Sequence, residues 1–422
     1  MATHNYLKNI KISRLDNGIT VVSEKIDHVD SFSLGFWFNV GSRDENETNN
    51  GISHFLEHMF FKGTRKRNAR KIAEDIESLG GYLNAFTSKE HTCYYGRGLK
   101  GNLEPTFEVL SDMLQNSVFS SKEIRKEARV VIDELYDIED SPEELIFDRF
   151  ESAIFNGTTL GLPIIGTEKN IKNFTRKNLT EYVRKNYTFN RMYIVASGNL
   201  SHSALIKLAE KYINNSFGSY SLPERNLELN PAGDLFIEKD SQQVHYIAGT
   251  TTYGFNSKKR HAARLLSYVL GDGSSSRLFQ RLREENGIAY QINTFLNSFY
   301  DVSTFGIYLS TNEKSIHKAQ KLIYEEINKI KNRKISSKEL ERAKKYMIGN
   351  LMMSLENTTN RMTRMGQSII YFGQIKSPAE TVREINKINE DDIKETANEI
   401  FGNNKLIRVI LSSKNLLMQR VA

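Results

Sequence analysis

Two early stretches, GITVVSEK (18–25) and DSFSLGFWFNVG (30–41), carry the apolar runs expected of strands. The period then changes. Residues 69–78 read as a helix, the Gly80-Gly81 pair as a turn, and LNAFTSKEHTCYY (83–95) as a further strand-like run. A long helix is predicted from Ser121, because Ile124, Ala128, Val131, Leu135 and Ile138 fall on one stripe. A helix over 176–186, the strand RMYIVASG (191–198) and the helix SHSALIKLAEKYINNSF (201–217) complete the first half.

The polar stretch GSYSLPERNLELNPAGD (218–234) reads as a linker. Beyond it the pattern recurs. SSKEIRKEARVVIDELYDIED at Ser120 resembles SSKELERAKKYMIGNLMMSLEN at Ser336, and RMYIVASG at Arg191 resembles LIRVILSS at Leu406. The economical explanation is an α+β protein made of two similar domains, 1–217 and 235–422, each a mainly antiparallel sheet covered by helices. The copies differ in chemistry. Glu127 falls on Ala343 and Glu134 on Asn350, and LLSYVLGDG, the counterpart of the histidine-bearing stretch described next, has no histidine.

That stretch is GISHFLEHMFF (51–61). On a helix at about 100° per residue, His58 lies roughly 40° from His54 and Glu57 roughly 60° to the other side, so all three share a face. Two imidazoles one turn apart can hold a Zn²⁺ ion, with the glutamate left over as a base. A core that tolerates two hydrogen-bonded histidines would show the same residues. A catalytic site also needs a third protein ligand and an open fourth position. Glu127 and Glu134 flank the apolar stripe of the long helix, about 20° apart in projection; Glu134 on the metal and Glu127 orienting a histidine would supply both needs. Two ordinary surface glutamates would fit the pattern equally.

Composition narrows the classes. Hydrophobic residues make up 39% and charged residues 26% of the 422, and no apolar run reaches the roughly 18 residues a membrane span requires. The net charge of +7 comes from Lys and Arg dispersed among acids, so no nucleic-acid partner is expected. The single cysteine, Cys93, excludes an internal disulfide framework and reads as a small apolar strand residue. No apolar segment follows the N-terminal charges; a cytoplasmic or matrix-like location is the expectation. Met347, Met352 and Met353 read as core packing.

The run GSRDENETNNGISHFLEHMFFKGT, followed by ESLGGYLNAFTSKEHT, closely resembles the M16 (pitrilysin-type) metallopeptidases, in particular the mitochondrial processing peptidase β-subunit and its bacterial single-chain relatives. The resemblance spans nearly the whole chain. It implies one zinc per chain on His54, His58 and Glu134, Glu57 as general base, and Glu127 as the family's further glutamate seven residues before the third ligand. It also implies that Arg283 and Tyr290 of GDGSSSRLFQRLREENGIAY stabilise the reaction's negative oxygen, in the same chain or a partner's; on pattern alone they are a helix-surface arginine and a strand tyrosine. Asn84 and Ala85 are implied to lie nearest the metal on an edge where a peptide adds as a strand.

Glu144 and Asp148 match acidic positions that would take a substrate arginine. Ser141, Pro142 and Glu144 also read as a helix start with a capping box. The expected partners are an unfolded peptide and a second such chain, identical or related, enclosing a chamber. Two other readings share the architecture: the short S-ribosylhomocysteine lyases, which use a cysteine ligand, and structural subunits like the core proteins of the respiratory bc1 complex. The duplicated length and Glu134 argue against the first, and the intact ligand set against the second.

Overall fold

The computed structural model describes residues 9–213, 225, 227–402, 406–414 and 416. Of the predicted linker, 218–224 and 226 lie outside the described residues. Packing divides the chain into two compact units. The first comprises Met1–Tyr136, Leu162–Leu227 and Met353–Pro378; the second comprises Asp137–Gly161, Glu228–Met352 and Ala379–Ala422.

In the first unit the strands are β1 (Ile10–Arg14), β2 (Thr20–Lys25), β3 (Ser31–Phe38), β4 (Tyr82–Thr87), β5 (Thr92–Leu99) and β6 (Met192–Gly198). They form one sheet in the order β1-β2-β6-β3-β5-β4. Only β2 and β6 run parallel. Its helices are α1 (Ile52–Phe60), α2 (Ala69–Glu77), α3 (Leu103–Asn116), α4 (Ser121–Asp140, whose last turn falls in the second unit), α6 (Glu168–Asn173), α7 (Arg176–Asn186), α8 (His202–Tyr212) and α12 (Thr358–Phe372).

Both faces of this sheet are covered, which is why β3 reads as a continuous apolar run and is buried from Phe32 to Phe38. Alternate side chains divide between the faces. Phe36 meets Phe107 of α3 edge-on, whereas Trp37 packs with Met362 and Met365 of α12. The fit around the indole is close enough to demand glycine: a Cβ at Gly366 would stand 2.5 Å from Trp37 Cε2. Cys93 is buried in this cluster as a free thiol, in the apolar role expected of it.

The second unit repeats the plan. Its strands are β7 (Leu235–Glu238), β8 (Val244–Tyr253), β9 (Gln291–Ser298), β10 (Val302–Thr311) and β11 (Ile407–Ser412), in the order β7-β11-β8-β10-β9. That is the order β2-β6-β3-β5-β4 over again, with the one parallel pair, β7 and β11, in the matching place. Helices α9 (Arg260–Leu270), α10 (Ile316–Asn332), α11 (Ser337–Ser354), α13 (Pro378–Lys387) and α14 (Glu390–Phe401) belong to this unit apart from the last residues of α11 and the first of α13, and most contribute to one apolar core. Helix α5 (Pro142–Ile154) packs on β8 and β11, where Phe147 and Phe150 meet Phe295.

The α+β architecture of two duplicated halves matches the expectation, with a mixed sheet in each. The methionine cluster corrects it: Met347 packs against the core, but Met352 and Met353 are exposed. They lie in the last turn of α11, where the helix has run past its buried positions.

Candidate metal centre

The N-cap of helix α1 is Gly51, whose φ of 94° is costly for other residues; a Cβ there would meet the Ile165 carbonyl oxygen at 2.6 Å. Glycine has no side chain to cap the helix, so Glu45 does it from the preceding loop. Its Oε2 accepts from the Gly51 N–H at 2.7 Å and the Asn50 amide at 3.1 Å, and its Oε1 accepts from the Ser53 N–H at 2.8 Å. Burial pushes the Glu45 carboxyl up to about 7 against the pull of these bonds. Ile52, Phe55, Leu56, Met59 and Phe60 take the buried side of α1. His54, Glu57 and His58 are left on the other.

Helix α4 brings Glu134 to the same place. Its carboxylate oxygens lie 3.8 Å from His54 Nε2 and 3.6 Å from His58 Nε2. Tetrahedral zinc with bonds of about 2.0–2.2 Å sets its ligands roughly 3.4 Å apart, so two imidazole nitrogens and a carboxylate at these spacings suit the ion. Among the described residues no other three His, Cys, Asp or Glu side chains gather in this way. Burial, with the neighbouring His58, pushes His54 down to about 4, which keeps it in the neutral form that binds a metal.

Two contacts orient the site. Nδ1–H of His58 donates to Glu127 Oε1 at 2.9 Å, which leaves Nε2 as the ligand atom. The other Glu127 oxygen meets Lys62 Nζ at 2.8 Å. Burial opposes ionisation of Glu127, but His58 and Lys62 hold it below the usual carboxylate range. Glu57 does not face the cluster unattended either: Thr87 Oγ1 donates to its Oε2 at 2.6 Å. Burial pushes the Glu57 carboxyl up, opposed by Thr87 and His58.

The run read as one strand over 83–95 is a hairpin. Strands β4 and β5 pair antiparallel from Tyr82 with Arg97 to Thr87 with Thr92, around a turn at Ser88–His91 that contains neither glycine nor proline. β4 is the outermost strand of its sheet. Ala85 and Thr87 lie on the α1 side of the hairpin, while the Asn84 side chain turns to the opposite face, donating to Tyr82 Oη at 2.6 Å. Its Oδ1 accepts the Ala85 N–H at 2.8 Å.

In the second unit, Ala343 lies in the apolar core and Asn350 stands on α11, as the repeat required. Arg283 is exposed in a π-helical turn, its guanidinium 5.0 Å from the Phe279 ring and without an acidic partner among the described residues. Tyr290 is 72% exposed. Glu144 is exposed and Asp148 half-buried on α5. Ser141 Oγ caps α5 by accepting from the Glu144 N–H, with Pro142 in the first turn. The expected capping box is absent: Ser141 spends its own N–H on the Asp137 carbonyl, so the Glu144 carboxylate has no donor to meet there.

Sequence reasoning missed Glu45, Lys62 and Thr87. Glu45 alone left a trace, as an acid in the loop before a helix whose N-cap residue, Gly51, has no side chain to cap it.

The duplicated fold is that of the M16 peptidases. The insulinase-family model (Peptidase family M16) matches residues 20–168, and the model described as the M16 peptidase inactive domain matches 173–347. An "Uncharacterized zinc protease" of Rickettsia felis is 37% identical over 401 residues, covering 94% of this chain and 96% of that one. The "Uncharacterized zinc protease YmxG" of Bacillus subtilis is 36% identical over 411 residues, covering 96% and 99%. Among solved structures, a protease from Helicobacter pylori superposes with a TM-score of 0.89 at 22% identity, over 96% of this chain and 99% of that one. The chain belongs to the M16 peptidase family. No helix among the described residues is long and apolar enough to cross a membrane.

Proposed function

We propose that the protein is a zinc-dependent endopeptidase that hydrolyses extended segments of unfolded peptides. The observation that carries this reading is the convergence of His54 Nε2, His58 Nε2 and the Glu134 carboxylate beside a second, half-buried carboxylate, Glu57. The zinc-protease names of relatives similar over almost the full chain support it. One zinc per chain would sit on those three side chains. When bound, zinc supplies Lewis acidity towards the scissile carbonyl and an attacking water.

This chain's residues do the rest. A substrate strand pairs with the free edge of β4, displacing Asn84 Oδ1 from the Ala85 N–H. Glu57 takes the water proton at Oε1, the oxygen Thr87 leaves free, and returns it to the departing amine nitrogen. Glu127 keeps the His58 ring in its ligating tautomer. Arg283 and Tyr290, both solvent-facing, serve the oxygen that becomes negative, in this chain or in a second copy or related chain. Glu144 and Asp148 favour a basic residue near the cleavage point.

A mixed library of unstructured peptides tests the reaction. Cleavage should stop with a zinc chelator and return with stoichiometric zinc; cleavage indifferent to the chelator would overturn the reading.

A further inference from the structure

One side chain ties the free edge of β4 to the general base. Ser88 donates its N–H to the His91 carbonyl at 2.9 Å, so these two form a hydrogen-bonded pair at the end of the hairpin. Bonded and non-bonded pairs alternate along an antiparallel ladder. Phe86 with Cys93 and Asn84 with Tyr95 therefore spend their main-chain groups on β5, while Leu83, Ala85 and Thr87 turn theirs to the open edge. One contact agrees with this register: the outward N–H of Ala85 is taken by Asn84 Oδ1. From the same edge, Thr87 donates its hydroxyl to Glu57 at 2.6 Å.

Thr87 is one strand repeat, roughly 6.8 Å, beyond Ala85. A peptide that pairs at Ala85 is thereby set at a fixed distance from whatever Thr87 holds. Helix α1 alone does not fix the Glu57 carboxylate, because a glutamate has three side-chain torsions between its backbone and its oxygens. The Thr87 hydroxyl removes that freedom.

Resting on the peptidase reading, we propose that Thr87 is a positioning residue that locks Glu57 to the register of the edge strand. The strand that aligns an extended substrate then also aims the oxygen that takes the proton. The two alignments cannot drift apart, since both are set by residues of β4 two positions apart. Loss of the hydroxyl leaves the edge, and so substrate pairing, in place and disorders only the base. The effect falls on kcat and spares KM.

Thr87→Val keeps the shape of the side chain and removes the donor; Thr87→Ser keeps the donor and removes a methyl. The Val variant is expected to retain its zinc and its KM for a long peptide within about twofold, and to lose roughly 10- to 100-fold in kcat. The Ser variant is expected to recover to within about threefold of the parent. A merely structural threonine at a strand end would predict the reverse order, since valine suits a strand better than serine does.

Crystal structures of the metal-free parent and the Val variant give a readout independent of turnover: the Glu57 carboxylate should leave its position in the variant. Wild-type kcat in Thr87→Val, equal losses in Val and Ser, or an unmoved Glu57 would each overturn the proposal. Should the parent cleave no peptide at all, the peptidase reading fails, and the crystallographic comparison still decides whether Thr87 holds Glu57.

Discussion

Glu127 accepts the Nδ1 proton of His58 at 2.9 Å while remaining almost wholly buried. It lies two helical turns before Glu134 on α4 and determines which nitrogen His58 presents to the cluster. Lys62 supplies the countercharge that makes an ionised carboxylate tolerable there. Glu127→Gln should weaken zinc binding by about 10- to 100-fold, because an amide no longer pairs with Lys62 and holds the imidazole proton less firmly. Competition against a zinc-chelating dye measures this, and affinity equal to the parent's would remove the role assigned to Glu127.

The capping of α1 by Glu45 gives a second expectation. Glu45→Ala leaves the N–H groups of Gly51 and Ser53 without an acceptor in a buried place, and leaves the Asn50 amide only the Pro163 carbonyl. The expected cost is about 1–3 kcal/mol of stability in the metal-free protein. Glu45→Gln should restore part of it. Chemical denaturation of the three proteins reads the difference, and an unchanged midpoint for the alanine variant would contradict the capping role.

What the sequence disclosed, and what it hid, follows from the range of the interactions. His54, Glu57 and His58 were legible because helical spacing alone puts them on one face. Glu127 and Glu134 could be placed beside the apolar stripe of a second helix, but that pattern fitted surface glutamates equally, and only the family resemblance singled them out. The duplication was legible as well, since copied strands and helices keep their apolar patterns. Thr87 was not, because its contact with Glu57 depends on a hairpin register, and the turn Ser88–His91 has neither glycine nor proline to announce it. Nor was the packing of α5 with the second sheet and α12 with the first. An amphipathic stripe says that a helix face is covered, but not by which sheet.

Acid should destabilise the protein through His91. Burial, together with the nearby Arg225 guanidinium, pushes this histidine from an ordinary 6.5 down to about 3. The unfolded chain takes up the proton near pH 6.5 and the folded one only near pH 3, so stability is full above about pH 6.5 and is lost as pH falls between these values. One such group contributes a slope of about 1.4 kcal/mol per pH unit in that window. His91→Phe should remove it from the pH dependence of unfolding of the metal-free protein, leaving the same-signed contributions of His54 and His261, each pushed down to about 4, the first by burial and His58 and the second by burial and Arg260. Parallel curves for the two proteins would show that His91 is not the buried neutral group described.

Glu57→Gln separates the base from the ligands. The amide can still accept from Thr87 but cannot take a proton, so zinc content should match the parent's while peptide cleavage falls by at least about 10²-fold. Elemental analysis and a fluorogenic peptide assay on one preparation give both numbers. Retained cleavage would reassign the base, and lost zinc would make Glu57 a ligand.

The most direct test of the zinc centre is an anomalous-scattering map recorded at the zinc edge from crystals of the zinc-loaded protein. One strong peak per chain is expected, at about 2.0–2.2 Å from His54 Nε2, His58 Nε2 and a Glu134 oxygen. A map with no peak there, or with its peak on other residues, would contradict the account.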